Sequence, residues 1–219
     1  MMNKICNLLT VLMVTSMLFP NYGETRPKKK KEVSVSSVEA SAPKGGSKFP
    51  FPIYTEKKYK AIYLPSGWMG DYGDIKVNDG ATEAPRSGST CVQIIYTAER
   101  KNKAGWAGVY WQYPANNWGN KQGGYDLTGA KKLVFWAKGA KGGETIAEFK
   151  VGGITGQTFP GDSDSASIGP IQLTNVWQKY QIDLVGKDLS NIIGGFAFSA
   201  SADDNPSGFI VFLDDIYFD

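Results

Sequence analysis

From residue 59 to residue 218 the apolar side chains recur at every second position in short runs, and no run shows the three-to-four spacing of a helix face. Alternation of this kind, cut by turns rich in Gly, Asn, Asp and Pro, hides one side of each run only if the runs pair into sheets. The runs are 59–64, 75–78, 91–97, 106–113, 131–138, 145–151, 177–184, 191–200 and 209–218. In 145–151, Ala147, Phe149 and Val151 point inward while Glu148 and Lys150 point outward. In 177–184, Tyr180, Ile182 and Leu184 share one face. Residues 65–74, with Gly67, Gly70 and Gly73 between Pro65 and Asp74, read as a loop. Roughly nine short strands with frequent turns predict an all-β chain, an antiparallel β-sandwich or jelly roll.

One run carries unusual side chains. Along 106–113, Trp106, Gly108, Tyr110 and Gln112 fall on one face and Ala107, Val109, Trp111 and Tyr113 on the other. An ordinary half-exposed strand is polar on one side, whereas both faces here hold large aromatics. Pro114 ends the ladder, and a loop containing Asn116, Asn117 and Trp118 follows. One face must fill the interior, so Val109 and Trp111 are expected in the core. Trp106, Tyr110 and Gln112 are then left outside, with Trp118 overhanging. Aromatic planes beside amides suit a sugar ring, which offers apolar C–H faces and a rim of hydroxyls. The candidate ligand-binding residues are Trp106, Tyr110, Gln112, Tyr113, Asn116, Asn117 and Trp118.

Charge and composition narrow the chemistry. Residues 1–49 hold eight Lys/Arg against three acids and residues 50–219 hold sixteen against eighteen, so the net +3 resolves into +5 and −2. A mildly acidic folded part has no nucleic-acid footprint. The sequence contains no His, which removes imidazole bases, His-activated nucleophiles and His-containing zinc sites. No catalytic residue stands out, and Asp162, Asp164, Asp203 and Asp204 read as turn acids. Cys91 begins an apolar run and is expected to be a buried, inert thiol.

Residues 1–25, with Lys4 ahead of an apolar run of about 15 residues, read as a signal peptide too short to span a bilayer. Residues 26–48, basic and then rich in Ser, Val and Ala, read as a flexible linker, with contact to an anionic surface as the alternative. The folded domain is expected over 49–219. This organisation predicts export, to the medium, the periplasm or the cell surface, without stable membrane insertion.

The segments 105–118, 126–138, 177–184, 188–196 and 212–216 together resemble the secreted, non-catalytic carbohydrate-binding modules of the galactose-binding-like jelly-roll class. The resemblance covers about residues 60–219. It implies polysaccharide or glycan binding and a structural Ca²⁺ with ligands from an early loop and the last strand. Asp71, Asp74 and Asp79 lie early, and Asp214 and Asp215 lie late. A hard cation needs six to eight oxygens, and these five acids are either part of such a set or hydrogen-bonded loop caps. The leading expectation is carbohydrate binding. A cell-surface or periplasmic module with a structural or protein-interaction role, its partners being other cell-surface proteins, comes second, and a carboxylate-based glycan hydrolase or lyase third.

Overall fold

A computed structural model describes residues 47–219. The expected signal peptide, and all of the expected linker except Ser47 and Lys48, lie outside the described residues. The strands are β1 (Phe51–Tyr54), β2 (Leu64–Gly70), β3 (Ile75–Ala81), β4 (Cys91–Tyr96), β5 (Trp106–Gln112), β6 (Lys132–Gly139) and β7 (Thr145–Ile146). They continue with β8 (Glu148–Gly152), β9 (Ser165–Ile168), β10 (Ile171–Gln172), β11 (Gln178–Asp183), β12 (Gly194–Ser201) and β13 (Phe209–Phe218). One sheet has the order β11-β6-β13-β4-β3, with β1 pairing the far half of β13. The other has the order β2-β5-β12-β8-β9, and β7 and β10 form a separate pair. Every pairing is antiparallel. The expected all-β antiparallel sandwich is the fold observed.

Aromatic rings bridge the two sheets. Phe135 on β6 meets Phe149 on β8 at 4.6 Å and Phe196 on β12 at 5.3 Å between centroids. Trp111 on β5, 1 % exposed, meets Phe196 edge-on at 5.4 Å. Val109, Trp111, Phe149, Phe196 and Phe198 share one buried cluster with Leu133, Phe135, Leu213 and Phe218 of the opposite sheet. Fully burying a side chain of this size contributes about 1.5–3 kcal/mol, so these rings hold the layers together. Cys91 is buried and free, as expected.

The expected boundaries fail at the edge of the second sheet. Most of 59–64 is not strand, whereas β2 runs through the stretch expected to be a loop. The reason lies in its neighbour. A Cβ at Gly67 would stand 2.7 Å from Gln112 Cδ and 2.8 Å from Tyr110 Cβ, so the glycine reflects a close crossing rather than a turn. Pro65 is tolerated because β2 is an edge strand whose register shifts between Pro65 and Gly67. Alternation also missed β1, where Pro50 and Pro52 flank and interrupt the pairing with β13.

Candidate functional site

Because Val109 and Trp111 fill the core, the outer face of the five-stranded sheet receives Trp106, Gly108, Tyr110 and Gln112 from β5. Across the ladders, Gly108 stands between Met69 on β2 and Ser199 on β12, and Ser199 pairs with Glu148 on β8. In the neighbouring row Tyr110 pairs with Ala197, Ala197 with Lys150, and Lys150 with Ser167 on β9. Strands lie about 4.8 Å apart, so Gly108 and Glu148 are about 10 Å apart across the face. Small residues at Gly108, Ala197 and Ser199 make a low floor. A Cβ at Gly108 would fall 2.6 Å from the Phe198 carbonyl oxygen and 2.9 Å from Met69 Cε, so a larger residue has no room there.

Rings stand at both ends of this groove. Trp106, 41 % exposed, marks the start of β5, while Trp118 rests edge-on against Tyr110 with centroids 5.9 Å apart. Four residues of strand separate Trp106 from Tyr110, roughly 13 Å. Met69 and Trp118 pack around a small apolar cluster of Tyr110, Ile154, Ile193 and Ala197. Exposed Phe159, which sequence reasoning overlooked, belongs to the loop beside Trp118, and its N–H donates to the Gly119 carbonyl at 3.0 Å. Gln157 N–H donates to the same oxygen at 3.1 Å, tying the two loops into one rim.

The other expected ligand residues are placed differently. Gln112 is fully buried: its Nε2 donates to the Asn117 carbonyl at 2.8 Å, and its Oε1 accepts from Ser66 Oγ at 3.0 Å. Asn117 is also fully buried, accepting from Gly119 N–H at 3.0 Å and Lys121 N–H at 3.2 Å and donating to the Lys121 carbonyl. Tyr113 points to the opposite side, where its ring meets Tyr125 at 4.5 Å and Tyr63 at 6.4 Å. Tyr110 is 6 % exposed, its hydroxyl donates to the Gly152 carbonyl at 3.0 Å, and burial pushes its pKa well up. Asn116 is exposed at positive φ, with its N–H on Ser66 Oγ. Gln112 and Asn117 are therefore the scaffold of the rim and Tyr113 packs on the core side, while exposed Trp106 and Asn116 and half-buried Trp118 border the groove.

The face also carries charges. Glu148 and Lys150, which alternation placed outward, stand on the groove. Beside it a shallow hollow of about 320 Å³ is lined by residues 153–156 and by Gly161, Asp162, Asp164 and Ser165. There burial pushes the Asp162 carboxyl above its usual range, against N–H donors from Ile154, Ile193 and Gly194. A larger hollow of about 500 Å³, walled by Pro50, Pro52 and Tyr217, lies at the pairing of β1 with β13. It belongs to the other sheet and carries no groove aromatic.

The five acids expected to share a Ca²⁺ are separated and already engaged. Asp71 accepts from the N–H groups of Asn102, Ala104 and Gly105 at 2.6, 3.1 and 2.7 Å. Desolvation raises its pKa, but these donors outweigh it and hold the carboxyl below the usual range. Asp74 accepts from Arg100 N–H at 2.6 Å, with Lys101 Nζ 3.6 Å away. Asp79 pairs with Lys57 at 2.5 Å. Asp214 accepts from Arg86, Ser87 and Asp215 N–H groups, and Asp215 pairs with the Arg86 guanidinium at 2.5 Å. Asp74 lies level with Phe209 through Ile75 and Tyr96, five residues along β13 from Asp214, or roughly 17 Å. Among the described residues no three His, Cys, Asp or Glu side chains gather to hold a metal. These acids do not fit the proposed cation. They cap loops, and Arg86 supplies the positive charge beside the late pair.

No family model and no curated protein matches the chain. Solved structures do share its fold. The crystal structure of a family 30 carbohydrate-binding module is similar over 77 % of this chain and 97 % of that one, at 17 % identity and a TM-score of 0.53. The family 30 module of a cellulosomal cellulase from Clostridium thermocellum is similar over 77 % and 95 %, at 18 % identity and the same TM-score. At these identities the likeness concerns the fold.

Proposed function

We propose that this chain is an exported, non-catalytic carbohydrate-binding module whose ligand lies across the outer face of the β2-β5-β12-β8-β9 sheet. The observation that carries the reading is the groove itself: a floor of Gly108, Ala197 and Ser199 between the exposed ring of Trp106 and the half-buried ring of Trp118. Sugar C–H faces settle on such rings, and roughly 25 cal/mol is gained per Å² of apolar surface removed from water. A rim held by the buried amides of Gln112 and Asn117 is ordered before the ligand arrives, which lowers the entropic cost of binding. The fold shared with carbohydrate-binding modules supports the same reading.

Non-catalytic binding is favoured because glycoside hydrolysis ordinarily sets two carboxyl groups on either side of the scissile bond. Glu148 instead neighbours Ser199, and the oxygens of Asp162 are taken by three backbone donors. Export rests on the apolar run near the N-terminus. N-terminal sequencing of the protein recovered outside the cell tests it. The function is tested by affinity electrophoresis in gels containing neutral polysaccharides. Trp106→Ala should abolish retardation while leaving the melting temperature in place, and Trp118→Ala should abolish it with a fall in melting temperature, because its ring also packs on Tyr110 and the cluster beneath. Undiminished retardation in both variants overturns the reading.

A further inference from the structure

Glu148 and Lys150 occupy alternate positions of β8, so both rise from the face that carries Trp106 and Tyr110. Their cross-strand neighbours are small: Ser199 beside Glu148, with Ala197 and Ser167 flanking Lys150. Both are partly buried, yet neither side chain has a hydrogen bond or a salt bridge among the described residues, and Lys150 feels the Asp162 carboxyl only at longer range. Asp71, Asp162 and Asp214, by contrast, are each engaged by three backbone donors. Side chains two apart on a strand stand about 7 Å from each other. Glu148 and Lys150 therefore leave a gap rather than closing on one another. A partly desolvated charge with no hydrogen-bond partner gives up hydration without full return, and a ligand's polar groups restore it.

We infer that Glu148 and Lys150 read the hydroxyls of the bound sugar and select a neutral glycan, an inference that rests on the carbohydrate-binding reading above. Glu148 accepts hydrogen bonds from sugar O–H groups, and Lys150 donates to hydroxyl oxygens. The ring's C–H face meanwhile lies on the indoles. Bonds between a charged side chain and a neutral hydroxyl are the stronger kind, each carrying about tenfold or more in affinity. Opposite charges at alternate positions cancel at a distance, so the groove has no field that gathers anions. A uronate or sulfate placed at Glu148 meets a like charge, which works against an acidic sugar. A polysaccharide with unsubstituted hydroxyls satisfies both side chains at once.

The test uses the full chain in affinity gels containing soluble neutral glucan, xylan or mannan, and separately polygalacturonate. The wild type should be retarded by at least one neutral polymer, equally at low and high salt, and not by polygalacturonate. Glu148→Gln and Lys150→Met should each weaken the dissociation constant about tenfold or more, with circular dichroism and melting temperature unchanged. If Trp106→Ala abolishes retardation while both charge variants bind as wild type, the inference falls and the carbohydrate-binding reading stands. If polygalacturonate is retained in a salt-sensitive manner, the selection for neutral sugars is wrong. If no polymer is retained, or Trp106→Ala and Trp118→Ala change nothing, the underlying reading fails and takes the inference with it.

Discussion

Gln112→Ala separates a residue that builds the rim from one that touches the ligand. In the folded chain the Gln112 amide joins Ser66 Oγ at 3.0 Å to the Asn117 carbonyl at 2.8 Å, and Ser66 Oγ accepts in turn from Asn116 N–H at 2.9 Å. Truncation leaves the Ser66 hydroxyl and the Asn117 carbonyl without this partner, and Asn117 is fully buried. An orphaned buried polar group costs about 1–3 kcal/mol. Two of them set the expected loss at about 2–6 kcal/mol, which for a domain of this size lowers the melting temperature by about 4–24 °C. Urea denaturation followed by intrinsic tryptophan fluorescence measures the loss, since Trp118 lies on the affected loop. A double-mutant cycle with Ser66→Ala should give a coupling energy of about 0.5–3 kcal/mol. Sugar affinity should fall too, because the loop that presents Trp118 loses its anchor. A Gln112→Ala variant that melts like the wild type but no longer binds would refute this account, since Gln112 would then have to contact the ligand itself.

Other consequences can be checked in the same preparations. Burial pushes Asp214 up to about 6, against N–H donors from Ser87, Arg86 and Asp215. A folded pKa above the unfolded value of about 3.9 means that stability is fully present below that value and is lost as pH rises through about 6, by on the order of 2 kcal/mol. Asp214→Asn should flatten this limb in denaturation measured between pH 4 and pH 7. Asp71 has the opposite sign: its folded pKa is lowered, so its contribution is present above the ordinary carboxylate range and disappears as pH falls through the folded value. Asp71→Asn should blunt acid denaturation as a function of pH while lowering stability at neutral pH. Addition of a chelator should leave the melting temperature where it is, because the five candidate acids are engaged by backbone N–H groups, Arg86, Lys57 and Lys101. A chelator-induced drop that Ca²⁺ reverses contradicts that assignment.

Alternation of side chains determined a good deal by itself. It divided β5 correctly, sending Val109 and Trp111 to the core and Trp106 and Tyr110 to the other face, because strand geometry is local and has a period of two. It also placed Phe149 and Val151 inside and Glu148 and Lys150 outside. Tertiary structure decided what each outward position does. Glu148 looks like any solvated acid until β12 brings β8 alongside β5, a pairing between segments remote in the chain. Gln112 and Asn117 look like surface amides until the loop after Pro114 folds back over them. Gly67 looks like a turn until Tyr110 and Gln112 are seen to occupy the space of its missing side chain. Asp71 and Asp214 look like a shared cation site until the sheet sets them apart. The physical reason is the same in each case. Which face a residue takes follows from the backbone's own repeat, whereas partners, burial and room for a ligand depend on strand order and on loops closing over long sequence separations.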